Sequence, residues 1–452
     1  MASSSRRGPD MQHPALALVV LLAWLAPSAP GLAAPLLRDG DRVVFFGDSI
    51  TVAHTFSRAV EEYVLTRDAE KHISFINAGV GGHTASDGLA RLEVDVLAHH
   101  PTVVVINFGM NDSAYPDGSD GAAFERNMGR IIDALQHAGV RHVLWADTTP
   151  YDPGNGAKSG KSKARSARIA ALVAYTAVES ARRGLTLVRW HQPIVEAVNA
   201  WKSAGRSEAL IPDKVHPGPA LHAVMTTQLL RALGYAPAAE LIAGQFESGT
   251  LRFSSGGPTS VAWSGVVPLS FPVSGVAPPV TLLGSAKDAN DLAAHDGLAL
   301  REVRFLISGL PAHRRFRLQV GTVDVGRFTG VQLGQGVDLM ATTTERIRPP
   351  APPGTTMTLA ATPPPTFSAC SATTGNPLQN DHDCLWGQLF QRDQLRVAMR
   401  NEKTRWLPDF VDARLEAFIA FQAQWAVDAD ATIRQTVRAR RAGSHDVTIV
   451  PE

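Results

Sequence analysis

Two cysteines in 452 residues, five tyrosines and charged residues at only 19% are what this chain has little of. So few thiols exclude a disulfide-stapled scaffold and a Cys-rich zinc fold. A formal net charge of +1 excludes the strongly basic face that nucleic acid or a polyanion demands, so no nucleic-acid partner is expected. A comfortable membrane span is missing too. The apolar run from Ala15 to Leu25 contains Trp24 and is closed by Pro27 and Pro30. Arg6 and Arg7 precede it and Ala33-Ala34-Pro35 follows, which is the layout of a secretory signal peptide cleaved near Ala33 or Ala34. An uncleaved anchor is the alternative reading, and a start at Met11 would remove the basic region. A secreted or periplasmic location is expected, with no stable span after cleavage. In such an oxidising compartment a bond between Cys370 and Cys384 would stabilise by about 3 kcal/mol, two free thiols being the alternative.

What is present is concentrated in four short blocks. The apolar run Val43-Val44-Phe45-Phe46 stops at Gly47-Asp48-Ser49, and a helix is predicted from about Val52 to Thr66. That layout puts the Ser49 hydroxyl at a strand-to-helix turn, beside backbone N–H groups that a starting helix leaves unpaired. Asn77-Ala78-Gly79-Val80-Gly81-Gly82-His83-Thr84 is a Gly-rich turn after Ile73–Ile76. Gly109-Met110-Asn111-Asp112 closes the run Val103 to Phe108. Asp213-Lys214-Val215-His216-Pro217 precedes a predicted helix from Pro219 to Leu233.

These residue types suit one chemistry. A serine hydroxyl is a poor nucleophile until a base takes its proton, so it needs an imidazole within hydrogen-bond reach. The imidazole needs a carboxylate on Nδ1 to fix its tautomer, and Asp213, three residues before His216, can reach back to it. A tetrahedral oxyanion then needs fixed donors, for which the Ser49 N–H, a glycine N–H and the Asn111 amide are candidates. Each block has a plainer reading. Ser49 alone reads equally as a helix N-cap, the glycines as turn formers, Asn111-Asp112 as an Asx turn, and Asp213 with His216 as a surface pair. Asn111-Asp112-Ser113 also has the form of a glycosylation acceptor.

Taken together and in this order, the blocks resemble the SGNH (GDSL-type) hydrolase family, in particular its secreted bacterial esterase-like members. The matching residues are Ser49, Gly82, Asn111 and His216, with Asp213. The choice of Gly82 over Gly79 or Gly81 follows from register with the family's block. The resemblance implies a catalytic triad of Ser49, Asp213 and His216, and an oxyanion hole of Ser49, Gly82 and Asn111. It implies hydrolysis of carboxylic esters through an acyl-enzyme, with no metal or organic cofactor. The expected partner is a small-molecule or glycan ester. Deacetylation of saccharides is one expectation. Lysophospholipid or short-chain acyl ester cleavage, acyl transfer and a noncatalytic carbohydrate-binding role are the others.

Strand-like segments Val43–Phe46, Ile73–Ile76, Val103–Asn107, Val143–Ala146 and Leu185–Arg189 alternate with helical ones, including Ala122–His137 and Ala164–Arg182. Apolar strands between amphipathic helices predict a parallel sheet covered on both faces. The fold class is a three-layer α/β/α sandwich of flavodoxin-like order, with the site at the carboxyl ends of the strands. Lys158, Lys161, Lys163, Arg165 and Arg168 read as a solvated loop leading into a helix, or as a basic flap at the site entrance. His54 and His83 flank the blocks, His83 being as readily a surface residue as a pocket residue.

The expected organisation is a signal peptide over 1–34, a hydrolase domain over 35–236, a β-rich accessory domain over 237–348, a Pro-rich linker over 349–385, and a helical segment with a terminal strand over 386–452. Part of the accessory region, Leu310 to Met340, resembles that of certain large bacterial secreted proteins of the same family. Trp386, Trp406 and Trp425 read as core residues rather than sugar platforms.

Overall fold

The computed structural model describes residues 35–114, 119–151, 160–207, 209–235, 240–273, 303–340, 384–385, 388–389, 392, 429–438 and 445–452. The expected signal peptide, Lys158, the Pro-rich linker up to residue 383 with Cys370, Trp386, Trp406, Trp425 and most of the helical segment expected over 386–452 lie outside the described residues. Cys384 is disulfide-bonded.

Five parallel strands form the first sheet: β1 (Arg42–Gly47), β2 (Ser74–Gly79), β3 (Val103–Asn107), β4 (His142–Ala146) and β5 (Thr186–Val188). Their order is β2-β1-β3-β4-β5, the flavodoxin-like one. The sequence shows why both faces are covered. Along β1, Val43 and Phe45 enter one core while Val44 and Phe46 enter another. On β3, Val103 and Val105 face the first core, and Val104 and Ile106 the second. A strand apolar at every position has two dry faces, because successive side chains point to opposite sides.

Seven helices cover this sheet among the described residues: α1 (Ser49–Val52), α2 (Thr55–Arg67), α3 (Ala85–Asp95), α4 (Ser119–His137), α5 (Gly160–Arg183), α6 (His191–Ser203) and α7 (Pro219–Ala232). Residues of α2, α6 and α7, such as Phe56, Ile194 and Met225, fill the first core. Those of α3 and α4, such as Leu92, Phe124 and Ile131, fill the second. The three-layer α/β/α architecture follows. Where one helix was predicted after Ser49, the structure has two. His54, in the left-handed region at φ 60°, breaks the run between α1 and α2.

The chain then builds two further sheets. One has order β13-β10-β6-β7-β8, the other β12-β11-β14-β9. The strands are β6 (Glu240–Glu247), β7 (Thr250–Ser255), β8 (Ser260–Ala262), β9 (Leu269–Val273), β10 (Val303–Ser308), β11 (Arg315–Val320), β12 (Val323–Thr329), β13 (Val337–Asp338) and β14 (His445–Pro451). A short helix, α8 (Gly330–Gln335), follows β12. Ile242, Leu251 and Phe305 from the first of these sheets share a core with Phe271, Phe316, Leu318 and Ile449 from the second. This is a β-sandwich. The last strand, β14, runs antiparallel between β11 and β9.

The C-terminal segment also returns to the α/β half. Leu385, Leu389, Ile433 and Val437 are buried in the same core as α2 and α7. Arg392, only 2% exposed, donates from both terminal nitrogens to the two carboxylate oxygens of Glu61 on α2, at 2.5 Å each.

Candidate active site

The carboxyl ends of β1, β2 and β3 converge on Ser49, and physical reasons fix each end. At the first, Asp48 caps α1 by accepting from the Ile50 N–H at 2.9 Å. Ser49 is the first residue of that helix, so its own N–H lies outside the helical ladder. At the end of β2, Gly79 lies so close to the last turn of α1 that a Cβ there would sit 2.3 Å from the Val52 nitrogen. Gly82 turns the chain at φ +77°, a conformation that a side chain disfavours. Thr84 then opens α3 with a capping box to Asp87.

Ser49 Oγ lies 2.7 Å from His216 Nε2. The opposite ring nitrogen, Nδ1, is hydrogen-bonded to Asp213 Oδ2. An ionised carboxylate only accepts, so Nδ1 carries the proton, and Nε2 is left to accept from the Ser49 hydroxyl. The Asp213–His216 turn is local. Asp213 Oδ1 accepts from the Val215 N–H at 3.0 Å and the His216 N–H at 2.7 Å, with Lys214 between them at φ 73°. Burial pushes the Asp213 carboxyl up, but the bonds from the His216 ring and these two amides outweigh it and hold the group at about 2. Asp213 is therefore ionised across the physiological range.

Asn111 follows β3, in the loop before a 3-10 turn at Asp112–Ala114. Its Nδ2 donates to the His83 carbonyl at 2.9 Å, which fixes the amide with its NH2 toward the Gly82–His83 turn. One N–H is used there and a second remains on the same nitrogen. Gly81 is beside the nucleophile, since a Cβ built on it lies 4.0 Å from Ser49 Cβ.

The structure thus joins Ser49, His216 and Asp213 in one hydrogen-bonded line, and it links Asn111 to the residue after Gly82. Sequence reasoning passed over several groups that hold these loops. Buried Asp112 accepts from the Ala85 N–H at 3.0 Å and the Gly109 N–H at 3.1 Å, tying the Asn111 loop to α3. Asn77 donates to the Thr51 carbonyl at 2.6 Å and accepts from the Gly79 N–H at 2.9 Å, tying the glycine turn to α1. Both residues stand inside the blocks, so their presence was visible although their partners were not. Arg165 and Arg168, expected to be solvated, instead donate to the Asn111 loop. His83 is half-buried and accepts on Nδ1 from Arg91 Nε at 3.2 Å. His54, 6% exposed, sits at the helix break.

Asp48 lies next to the nucleophile and is fully buried. Burial, with the charge of Asp112 adding to it, raises its carboxyl to about 7 against the opposing influence of His216. Oδ1 is bonded to Ile50, and Oδ2 has no hydrogen-bond partner.

The chain is 30% identical over 129 residues to an uncharacterized lipoprotein, YqeF, of Bacillus subtilis, a match covering 26% of this chain and 53% of the relative. It is 26% identical over 115 residues to the thioesterase 1/protease 1/lysophospholipase L1 of Escherichia coli, covering 25% of this chain and 54% of that protein. The chain thus spans about half the length of the curated relatives it matches. Among solved structures, a gut microbial diltiazem-metabolizing enzyme has the same fold over 92% of this chain and 98% of its own, with a TM-score of 0.64 and 17% identity. The GDSL-like Lipase/Acylhydrolase family model matches residues 45–224, which run from β1 through Ser49, Asn111 and His216 into α7. Over that stretch the chain is similar to the GDSL-like lipase/acylhydrolase family.

Proposed function

We propose that the protein is an exported serine hydrolase that cleaves carboxylic esters, with acyl groups on saccharides as the preferred substrate class. The observation that carries the hydrolase reading is the continuous line from Ser49 Oγ through the His216 ring to Asp213. In that reading Ser49 attacks the ester carbonyl while Nε2 of His216 takes its proton. The Asp213 carboxylate holds the tautomer and stabilises the imidazolium. The carbonyl oxygen, now negative, is met by the Ser49 N–H, the Gly82 N–H and the free N–H of Asn111. His216 then protonates the leaving alcohol, and water hydrolyses the acyl-enzyme by the same steps in reverse roles.

Export is supported by the basic, apolar and small-residue layout of the first 34 positions, and N-terminal sequencing of the secreted protein tests it. The saccharide preference is supported by export together with a β-sandwich attached to the hydrolase half. A second reading, cleavage of lysophospholipids or thioesters, is favoured by the activities in the name of the Escherichia coli relative. Among the described residues no helix is long and apolar enough to cross a membrane.

The deciding experiment is a panel of p-nitrophenyl acyl esters, acetylated oligosaccharides, lysophospholipids and acyl thioesters, run on the wild type and Ser49→Ala. Fluorophosphonate labelling runs in parallel, and an alcohol acceptor separates transfer from hydrolysis. Turnover and labelling that vanish in Ser49→Ala support the hydrolase. An inert, unlabelled wild type would leave a noncatalytic carbohydrate-binding protein in its place.

A further inference from the structure

Each loop expected to supply an oxyanion donor is held by an arginine. On α3, Arg91 donates to the Gly47 carbonyl at 2.8 Å, two residues before Ser49. It also donates to the Ala78 carbonyl at 2.6 Å and to the His83 ring at 3.2 Å, thus on both sides of Gly82. On α5, Arg165 donates to the Met110 carbonyl at 2.8 Å and Arg168 to the Ser113 carbonyl at 2.8 Å, so they bracket Asn111. Asn111 closes the ring by donating to the His83 carbonyl at 2.9 Å. We propose that Arg91, Arg165 and Arg168 are positioning residues that hold the Ser49, Gly82 and Asn111 donors in register around the developing oxyanion.

The acceptors explain why arginine is used. The Gly47 carbonyl already accepts from the Val80 N–H at 3.0 Å, and a carbonyl has a second lone pair, which is open to a side-chain donor where the chain turns away at the site. A planar guanidinium presents five N–H groups in fixed directions, so one side chain can serve acceptors on two strands and an imidazole at once. A lysine offers its donors from a single nitrogen and cannot span them. Arg91 is also held from behind. Asp95, one turn along α3, accepts from the same Nη1 at 2.9 Å, and the guanidinium lies over the Phe46 ring at 4.7 Å. Because Arg91 donates to His83 Nδ1, that ring carries its proton on Nε2 and cannot rotate without losing the bond. Arg165 is braced against Tyr151, its guanidinium 4.4 Å from the ring centre. The donors therefore sit on loops whose own polar groups are satisfied, which is what a preorganised oxyanion site requires.

The inference rests on the hydrolase reading of the same site, and its test is built to fail separately. Arg91→Met, Arg91→Lys, Arg165→Met and Arg168→Met are compared with the wild type and with Arg252→Met, an exposed change on β7. Steady-state turnover of p-nitrophenyl acetate, normalised to fluorophosphonate-titrated Ser49, should show Arg91→Met lowering kcat about 10- to 100-fold with KM changed less than threefold. Arg91→Lys should not restore the rate, and affinity for an arylboronic acid should fall in step with kcat/KM. Amide hydrogen exchange over residues 78–84 and 108–113 should accelerate in the Met variants and stay unchanged over 240–273. That arm needs no turnover and decides the positioning role even for a wild type that hydrolyses nothing, whereas labelling of wild-type Ser49 decides the hydrolase reading. Wild-type exchange in both loops of all three Met variants would overturn the proposal. So would titration-normalised kcat values within threefold of wild type.

Discussion

Asp213→Asn is the most discriminating single change at the site, because it alters one proton and leaves the shape. The carboxylate accepts three bonds, from the His216 ring, the His216 N–H and the Val215 N–H. An asparagine keeps Oδ1 for the two main-chain amides, so the turn with Lys214 at φ 73° should persist. Its other atom becomes a donor, and an NH2 facing Nδ1 selects the tautomer with the proton on Nε2. That proton then points at Ser49 Oγ, now 2.7 Å away with no base to receive its hydrogen. The same exchange in a serine protease triad costs about 10⁴ in kcat. Here the Asp213 and His216 side chains are 54% and 48% exposed, so water competes for the ring and reduces the loss. A fall of about 10²–10⁴ in kcat is expected, or about 3–5 kcal/mol in barrier height, with KM nearly unchanged. The assay is p-nitrophenyl acetate turnover between pH 6 and 9, with the fluorophosphonate labelling rate as a second readout. The wild-type Asp213 carboxyl is held down at about 2, so its contribution is complete above its unfolded value and is lost only as pH falls toward 2. Protonation of Asp213 therefore adds no inflection to the wild-type profile in this window. A variant that keeps kcat within threefold of wild type would show that His216 is not oriented through Asp213.

Three further outcomes follow from named contacts. Asn111→Ala should cost about 10²–10³ in kcat, since one oxyanion donor is lost and the His83 carbonyl loses its partner; steady-state kinetics check this. Arg392→Met should destabilise the α/β half by about 3–5 kcal/mol because Glu61, 5% exposed, is left charged beside it, and Glu61→Gln added to that variant should recover part of the loss in chemical denaturation. Asp48→Asn should flatten the dependence of stability on pH. The folded carboxyl is raised to about 7, so the wild type binds a proton there that the unfolded chain releases, and its stability falls as pH rises from about 4 to 7. The expected difference at pH 8 is on the order of 4 kcal/mol in favour of the variant, read as melting temperature against pH from 5 to 8.

The α/β half was readable because its signals are local. Strands apolar at every position, as in Val43-Val44-Phe45-Phe46, announce two dry faces, and a Gly-Asp-Ser turn announces a serine at a strand end. Asp213 and His216 are three residues apart, so their pairing is a property of one turn. The break at His54 was not readable, since a non-glycine residue in the left-handed region persists only when its surroundings impose it. Arg165 and Arg168 looked like any solvated basic stretch, because nothing in their spacing records that the Asn111 loop lies across from them.

By itself the amino-acid sequence determined the parallel sheet, its flanking helices and the identity of Ser49, Asn111, Asp213 and His216 as a set. Tertiary structure alone decided that Ser49 and His216, 167 positions apart, meet at 2.7 Å. It also decided that Arg91 spans two strand ends, that β14 enters the sheet between β9 and β11, and that Arg392 closes on Glu61 across 331 positions. The physical reason is the reach of each effect. Periodicity, capping and turn chemistry act over a few residues, whereas the partner of a buried charge or a strand edge is set by which surfaces the collapsed chain brings together.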